Sequence, residues 1–510
     1  MHHLFDLLSG LEYKRIEGND SVVISSVVYD SRMASAGSLF VCIRGFVSDG
    51  HRYIDQAVEK GATAVLMQDD QCYFSEKDLH ELFLRKGVAI VSVKDTRIGL
   101  AHVSGMFFSH PSRSLTLVGI TGTKGKTTTS YMVRDIFEKA GRSTGLIGTV
   151  SNIVGTEVRQ AARTTPESYD LQEIFHEMTE QKQEACVMEV SSQGLMLDRV
   201  YGCHFRVGAF TNLYHDHIGE HEHANMEEYL QAKLLMFDLS DIGIVNADCS
   251  VAEQVIEYAK GKCPVFTYGI DSQSDAFAYN IRKDRRNGLI GTSFSLKSPW
   301  YEDDYFVAMP GKFNVYNALC AISIAGSCRI PADAVRKGLA EVHVPGRLQP
   351  VPHNGDFSVL VDYAHNAASL ENLLTTLREY CPGRLITLFG CGGDRSKTRR
   401  YEMGEVSGKL SDLTIITSDN PRSEDPMAII SDILTGFAKT NGIYQLEPDR
   451  KTAIALALSL AKKDDFVIIA GKGHENYQIF SDHTIHFDDA EVAEEILMKM
   501  EAAAGKKESR

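Results

Sequence analysis

What the chain lacks narrows it first. No window offers the ~18 consecutive apolar residues of a membrane span. The start Met1-His2-His3-Leu4-Phe5-Asp6 has no basic segment leading into an apolar stretch and a small-residue cleavage site. The expectation is a soluble, cytoplasmic protein with no membrane partner. Ten cysteines are scattered without a Cys-x-x-Cys pair, which reads as reduced core thiols rather than a disulfide framework or zinc site. Cys391, inside a glycine-rich motif, is the exception to follow. Positive charge is also short, since 53 Lys and Arg against 68 Asp and Glu leave a formal net charge of -15. A phosphate backbone demands clustered cations over a broad face, so no nucleic-acid partner is expected. An anionic ligand must be met by local pockets of charge, and Lys124/Lys126, Arg395/Lys397 and Arg422 supply them.

What is present is ordinary globular material, 43% hydrophobic and 24% charged in 510 residues, too long for a single core. Apolar runs, each followed by a glycine-bearing turn and an amphipathic segment, recur along the chain: Ser38 to Ile43, Leu115 to Ile120, Ala185 to Val190, Val207 to Leu213, Val359 to Tyr363, Leu385 to Phe389, Leu413 to Thr417 and Phe466 to Ala470. This is the pattern of α/β layering. Ligands bind beyond the carboxyl ends of such strands, which is where the unusual residues stand. Breaks at Ser109-His110-Pro111-Ser112-Arg113 and at His343-Val344-Pro345-Gly346-Arg347 suggest three domains, 1–98, 99–343 and 344–510.

The sharpest signal is Thr121-Gly122-Thr123-Lys124-Gly125-Lys126-Thr127-Thr128, directly behind the run Leu115 to Ile120 and ahead of a helical stretch through Met132, Ile136 and Phe137. A strand, a glycine turn and a helix N-terminus aim several backbone N–H groups at one anion. Lys126 adds a positive charge and the Thr127 hydroxyl can hold Mg²⁺, so the segment reads as a cradle for a nucleoside triphosphate. Two residues separate Gly122 from Gly125-Lys126, where the general P-loop has four. That departure argues against an ordinary kinase or GTPase.

Met188-Glu189-Val190-Ser191-Ser192 is a buried-looking strand ending in a carboxylate and two hydroxyls. Glu189 there can complete the Mg²⁺ shell begun by Thr127, or simply cap the strand end. His215, His217, His221 and His223 fall within nine residues, without cysteines. A metal ligand, favoured at His217 beside Asp216, and solvated surface histidines both remain open.

Together these residues resemble the Mur ligases, which build the peptide of bacterial cell-wall precursors. The resemblance rests on the 121–128 loop, Thr164-Thr165-Pro166, Met188 to Ser192, Thr211-Asn212-Leu213 before Asp216-His217, Ala232-Lys233 and Phe313 to Ala318. It continues through Pro345-Gly346-Arg347, Asp362-Tyr363-Ala364-His365, Gly390-Cys391-Gly392-Gly393-Asp394-Arg395, Asp419-Asn420-Pro421-Arg422 and Gly471-Lys472-Gly473-His474-Glu475. Any one motif is weak, but the ordered set runs from about residue 30 to 480. It implies a three-domain architecture with a UDP-substrate domain, a central ATPase domain on a P-loop-type mononucleotide-binding sheet, and a C-terminal Rossmann-like domain for the incoming amino acid.

The implied reaction is amide synthesis driven by ATP and Mg²⁺ through an acyl phosphate, in peptidoglycan precursor synthesis. The motifs are most like those of members that add meso-2,6-diaminopimelate to UDP-N-acetylmuramoyl-L-Ala-D-Glu, acting as monomers. Carried over position by position, Gly122, Thr123, Lys124, Gly125, Lys126, Thr127, Thr128, Asn317, Arg347 and Asp362 hold the nucleotide. Thr127 and Glu189 ligate Mg²⁺, and His217 and a carbamylated Lys233 serve a second ion, although alone Lys233 reads as a surface helix lysine. Lys126, Glu189, His217, Lys233 and Arg347 make up the catalytic set.

Tyr29, Ser31, Phe46, Val47 and Ser48 resemble uridine-binding elements. Thr164, Thr165, Ser191, Leu197 and Arg199 match positions that hold the muramoyl dipeptide, and Arg163 stands where asparagine is common. Asn366-Ala367 stand where a proline is common.

Amino-acid choice follows from charge. Meso-diaminopimelate carries one more carboxylate than lysine, and a planar guanidinium can grip it bidentately. Arg395, with Asp419, Asn420, Pro421 and Arg422, would hold it, while Gly471 and Glu475 receive the distal ammonium. Two cations left unpaired should reject lysine by several kcal/mol. The alternatives are the same ligase adding L-lysine or another diamino acid, a folylpolyglutamate synthetase-like ligase, and a nucleotide sensor that has lost turnover.

Overall fold

The computed structural model describes residues 2–19, 21–219, 222–286 and 289–508, with side chains through residue 502. His221 lies outside the described residues. The chain forms two compact units, one of residues 1–279, 296–303 and 316–339, the other of 280–295, 304–315 and 340–510.

Among its described residues the first unit holds two main sheets, besides a two-stranded one of His2–His3 and Val23–Ile24. Its N-terminal sheet has the strand order Lys14–Glu17, Ala89–Val93, Ala64–Gln68, Ser38–Val41, Ser26–Val28, parallel apart from the first pair. Side chains alternate across each strand. Leu39, Val41, Ala64, Leu66, Ala89 and Val91 therefore join one core, while Phe40, Cys42, Val65, Met67 and Ile90 join another on the opposite face. Burial on both faces explains why these strands read as continuous apolar runs.

In the same unit six adjacent strands of a larger sheet run in the order Thr144–Ile147, Ala185–Glu189, Thr116–Thr121, Val207–Phe210, Gly243–Asn246, Val265–Gly269, these six all parallel. The chain leaves Thr116–Thr121 toward one side of the sheet and Val207–Phe210 toward the other. Between their carboxyl ends lies the switch point where such sheets take ligands. Helix Lys126–Lys139 buries Met132, Val133, Ile136 and Phe137, an i, i+4 stripe that seats its N-terminus at that point.

The second unit carries the order Ser358–Asp362, Phe466–Ala470, Leu385–Phe389, Leu413–Ile416, Tyr444–Leu446, again parallel. Val359, Val361, Ile386, Leu388, Ile415, Val467 and Ile469 form its core with residues of helices Arg450–Leu460 and Asp489–Glu508. Every apolar run picked out in the sequence overlaps a strand, offset by one residue at Thr116–Thr121 and Ser358–Asp362. Where proline is absent after Asp362, the Asn366 side chain caps helix Ala367–Arg378 by accepting from Ser369 N at 2.9 Å. All ten cysteines are free. Cys391 is buried, and burial pushes its thiol up to about 12, so it is an inert core thiol.

Leu388 is 0% exposed, and Leu388→Ala should cost about 2–5 kcal/mol, read from the urea midpoint at unchanged slope. A loss below about 1 kcal/mol would mean that the core collapses around the deleted side chain.

Candidate functional site

The 121–128 loop takes the shape its glycines allow. Gly122 has φ +141°, and a Cβ there would lie 2.0 Å from the Thr211 hydroxyl; Gly125 has φ +86°, and its Cβ would lie 2.5 Å from Asn317 Oδ1. Both positions exclude other residues by conformation and by space. The loop is clamped from the neighbouring strand end. Thr123 N donates to Asn212 O at 2.9 Å, Lys124 N to Asn212 Oδ1 at 2.9 Å, and the Thr211 hydroxyl to Lys124 O at 2.7 Å. The Lys124 ammonium pairs with Asp216 at 3.0 Å. Gly125 precedes helix Lys126–Lys139, so the first N–H groups of a buried helix face the loop.

Glu189 is the centre of this arrangement. It ends strand Ala185–Glu189 and is 1% exposed. Its carboxylate accepts from the Thr127 hydroxyl at 3.0 and 3.1 Å, from Thr149 N at 2.9 Å and from the Thr149 hydroxyl at 3.0 Å. Thr149 went unpredicted. Its signal was positional, for it follows a parallel strand end and a glycine, as the 121–128 loop does.

Thr149 also bonds Thr164 hydroxyl to hydroxyl at 3.0 Å. The Thr165 hydroxyl lies 3.1 Å from both Glu189 O and Ser191 Oγ and accepts from Ser191 N at 2.9 Å. The predicted dipeptide-holding hydroxyls thus form one wall beside the predicted metal ligand. Arg199 Nη1 donates to Thr165 O at 3.2 Å, and its Nε lies 3.3 Å from Glu167. Arg163 and Arg97 approach the same carboxylate at 3.7 and 3.6 Å. Leu197, half-buried, closes the short helix Ser192–Met196.

Lys233 overturns its reading as a surface lysine. It is 1% exposed, donates to Gly122 O at 3.0 Å and lies 4.5 Å over the Tyr229 ring. Lys126 donates to the same Gly122 O at 2.9 Å and to Thr123 O at 3.2 Å. Burial, then Lys126, drive the Lys233 amine well below the usual lysine range. Tyr229, also unpredicted, bonds the Thr123 hydroxyl at 3.1 Å, and the His217 ring lies 5.7 Å from its own. His217 is half-exposed and pairs with Glu222 at 3.1 Å. His223 is not solvated but 0% exposed, bonding Ser192 Oγ at 2.8 Å. Among the described residues no three or more His, Cys, Asp or Glu side chains form a metal cluster. The Thr127–Glu189 pair, a hydroxyl beside a carboxylate, is instead the kind of oxygen set that takes Mg²⁺ together with phosphate oxygens.

The uridine-like residues are placed less uniformly. The Tyr29 hydroxyl donates to Asp170 at 2.7 Å and the Ser31 hydroxyl to Gln56 at 2.7 Å. Ser48 reaches the Tyr53 hydroxyl at 3.3 Å, while Phe46 and Val47 stand exposed.

In the second unit the predicted amino-acid residues converge at three strand ends. Arg422 Nη1 donates to Gly393 O at 2.8 Å. A Cβ on Gly392 would meet Arg422 Nη1 at 2.8 Å and Arg395 Cγ at 3.8 Å, so both arginines flank that glycine. Asn420 Nδ2 donates to Glu475 at 2.8 Å, and Asn420 Oδ1 accepts from Ile479 N at 3.0 Å and Lys472 Nζ at 3.2 Å. Gly471 has φ +112°, and a Cβ there would lie 2.8 Å from Asp419 Oδ2. Pro421 O approaches the Gly393 position so closely that a Cβ would overlap it. Burial, and after it the charge of Asp419, raise the Glu475 carboxyl, opposed by Lys472, Asn420 and Arg422.

Lys472, missed in the sequence, is 0% exposed between Asn420 and Glu475, and burial lowers its ammonium. Within this unit Arg347 lies 4.7 Å over the Tyr363 ring. Half-buried Asp362 accepts from Leu348 N at 2.8 Å and Ala364 N at 2.9 Å; its carboxyl is raised by desolvation and countered by Arg347.

Three family models match successive stretches: "Mur ligase family, catalytic domain" at 23–107, "Mur ligase middle domain" at 120–325 and "Mur ligase, glutamate ligase domain" at 346–473. The chain is 44% identical over 499 residues, 98% of its length and 99% of the relative's, to the UDP-N-acetylmuramoyl-L-alanyl-D-glutamate--2,6-diaminopimelate ligase of Caldanaerobacter subterraneus subsp. tengcongensis. A solved ligase of that same description is similar at TM-score 0.68 and 25% identity over 94% of this chain and 95% of that one. A MurF ligase from Thermotoga maritima in complex with ADP shares the fold at TM-score 0.59 and 17% identity, over 94% and 99% of the two chains. With the cradle, the buried Glu189 and the matched stretches all in the same order along the chain, the protein belongs to the Mur ligase family.

Proposed function

We propose that this chain is an ATP-dependent amide ligase that joins meso-2,6-diaminopimelate to a carboxylate of UDP-N-acetylmuramoyl-L-Ala-D-Glu, as a cytoplasmic monomer. The three parts 1–98, 99–343 and 344–510 hold the UDP end, ATP and the amino acid. One observation carries the choice of amino acid: a single loop cluster sets the Arg422 guanidinium and the stem of exposed Arg395 beside Gly392 and a carboxylate, Glu475, beside Asn420. A distal centre bearing both a carboxylate and an ammonium complements it; a lone ammonium leaves the arginines unmatched.

A carboxylate and an amine do not condense unaided, because oxide is too poor a leaving group. The hydroxyls of Thr164, Thr165 and Ser191, with Arg199, hold the substrate carboxylate next to the cradle. Its oxygen attacks the γ-phosphorus, the bond to the β-phosphate bridge oxygen breaks, and ADP leaves an acyl phosphate. The amine nitrogen then attacks the acyl carbon, a tetrahedral intermediate collapses, inorganic phosphate departs and the nitrogen sheds its proton. The chain's contribution is position and charge. Lys126 and the loop N–H groups bind the phosphates, Thr128 follows them into the helix, and Asn317, Arg347 and Asp362 are assigned to the nucleotide.

Thr127 and Glu189 would hold Mg²⁺, which when bound neutralises phosphate charge. Lys233 and His217 are assigned to a second ion. Two lysines share Gly122 O, and a buried, deprotonated Lys233 amine can bond CO₂ carbon and release a proton. The resulting carbamate would put anionic oxygen ligands where the neutral amine stood.

Purified protein with ATP, Mg²⁺ and UDP-N-acetylmuramoyl-L-Ala-D-Glu should release phosphate when meso-diaminopimelate is added, and the product mass should rise by one diaminopimelyl residue. No ADP with all three reactants, or strong turnover with lysine alone, would overturn the reading. Arg422→Ala should raise KM for diaminopimelate ~30-fold or more, the equivalent of ~2 kcal/mol for a lost charged pair. An unchanged value removes Arg422 from the site.

The pH dependence follows from Glu475. Its raised carboxyl takes up a proton at a higher pH than a free glutamate, and the protonated form cannot pair with an ammonium. KM for diaminopimelate should therefore climb as pH falls, starting above the usual carboxylate range, and Glu475→Gln should flatten that climb. A profile shared by wild type and variant would assign the titration elsewhere.

A further inference from the structure

The loops assigned to the amino acid leave strands that do not all touch. Asp419–Arg422 follows strand Leu413–Ile416 and Gly471–Glu475 follows strand Phe466–Ala470, with strand Leu385–Phe389 between the two. No ladder hydrogen bond joins the outer strands, so the sheet alone leaves the spacing of their loops to its twist.

Arg450 spans that gap. It is the first residue of helix Arg450–Leu460, and its side chain is 0% exposed. Nη1 donates to Ser418 O at 3.2 Å and Nη2 to Ala470 O at 3.1 Å. Those carbonyls belong to the residues immediately before Asp419 and Gly471. The guanidinium is itself held by Asp489, also 0% exposed and the first residue of helix Asp489–Glu508: Nε to Oδ1 at 2.7 Å and Nη2 to Oδ2 at 2.7 Å. A bidentate grip fixes the plane of the fork. Fully buried, it also makes the pair intolerant of losing one partner.

Among the described residues, the direct side-chain ties between the two loops run through the assigned amino-acid site. Asn420 bonds Glu475 and Lys472, and Lys472 lies 3.9 Å from Asp419, and an arriving ammonium or carboxylate competes for the same groups. Just past the second loop, Gln478 donates to Ser418 Oγ at 3.1 Å and Asp419 O at 2.8 Å, and Ile479 N to Asn420 Oδ1 at 3.0 Å. Arg450 makes its bonds to the main-chain carbonyls of Ser418 and Ala470, not to the side chains for which an arriving ligand competes.

We propose that Arg450, locked by Asp489, is a positioning residue that sets the separation of the 419–422 and 471–475 loops and thereby the fit for the distal centre of the amino acid. This deepens the proposed function and rests on it. Lysine cannot replace the fork, since one ammonium cannot reach two carbonyls and both carboxylate oxygens with the same planar geometry.

The test compares wild type with Arg450→Lys and with the double variant Arg450→Met/Asp489→Leu, which removes both buried charges together. KM is measured for meso-diaminopimelate, ATP and the UDP-substrate, alongside urea unfolding and amide hydrogen exchange. A misplacement of this kind should raise KM for diaminopimelate ~10-fold or more. KM for ATP and for the UDP-substrate should stay within ~2-fold, preference over lysine should fall, and faster exchange should be confined to 419–422 and 471–475.

Three KM values rising together with a lowered unfolding midpoint, or none rising, would overturn the proposal. If the double variant does not fold, Arg450→Lys decides alone. A wild-type protein that ignores diaminopimelate overturns the proposed function instead, and the loop-confined exchange then settles whether Arg450 spaces the loops.

Discussion

A buried carboxylate with four converging donor contacts holds the first unit's site together. Glu189 is nearly inaccessible, and its polar oxygens are satisfied there because Thr127 and Thr149 supply hydroxyl and backbone donors around it. Those contacts join the start of helix Lys126–Lys139, the turn after strand Thr144–Ile147 and the end of strand Ala185–Glu189. The wall of Thr164, Thr165 and Ser191 then stands on the same turn and strand end. One buried side chain thus ties the triphosphate cradle to the hydroxyls meant for the acceptor substrate.

The cations follow the same economy of place. Overall the chain is acidic, at -15, yet Lys126 and Lys233 both reach one carbonyl oxygen, and three arginines gather on Glu167. In the second unit Lys472 and Arg422 stand by Asp419, Asn420 and Glu475, with the Arg395 stem beside Gly392. Local concentration of one sign inside an opposite background is what anion recognition by a pocket, rather than by a surface, requires.

Much of this was legible in the linear chain where the chemistry is local. The 121–128 loop needs its glycines within four residues of its lysine and threonine, and the positive φ of Gly122 and Gly125 is a property of those residues. Alternating cores on both faces of the N-terminal sheet likewise leave continuous apolar runs that can be read directly. Thr149, Tyr229 and Lys472 were not found. Each acts on a partner distant in sequence or through burial, neither of which a short motif records. Lys233 and His223 show the difference most plainly. Read locally, both fit a solvated surface, and both lie in the interior.

By itself, then, the sequence determined the α/β layering, the anion-binding loop, the order of the motifs and their positions at strand ends, because periodicity, glycine conformation and residue chemistry act over a few neighbours. Only the tertiary structure decided which of these groups meet. Strands far apart in the chain come to lie side by side and bring their carboxyl ends together. The burial that results displaces the ionisation of Lys233 and Glu475, and it leaves Arg450 and Asp489 paired away from water. Solvation and long-range pairing are properties of the folded chain, and those two decided what its charged residues can do.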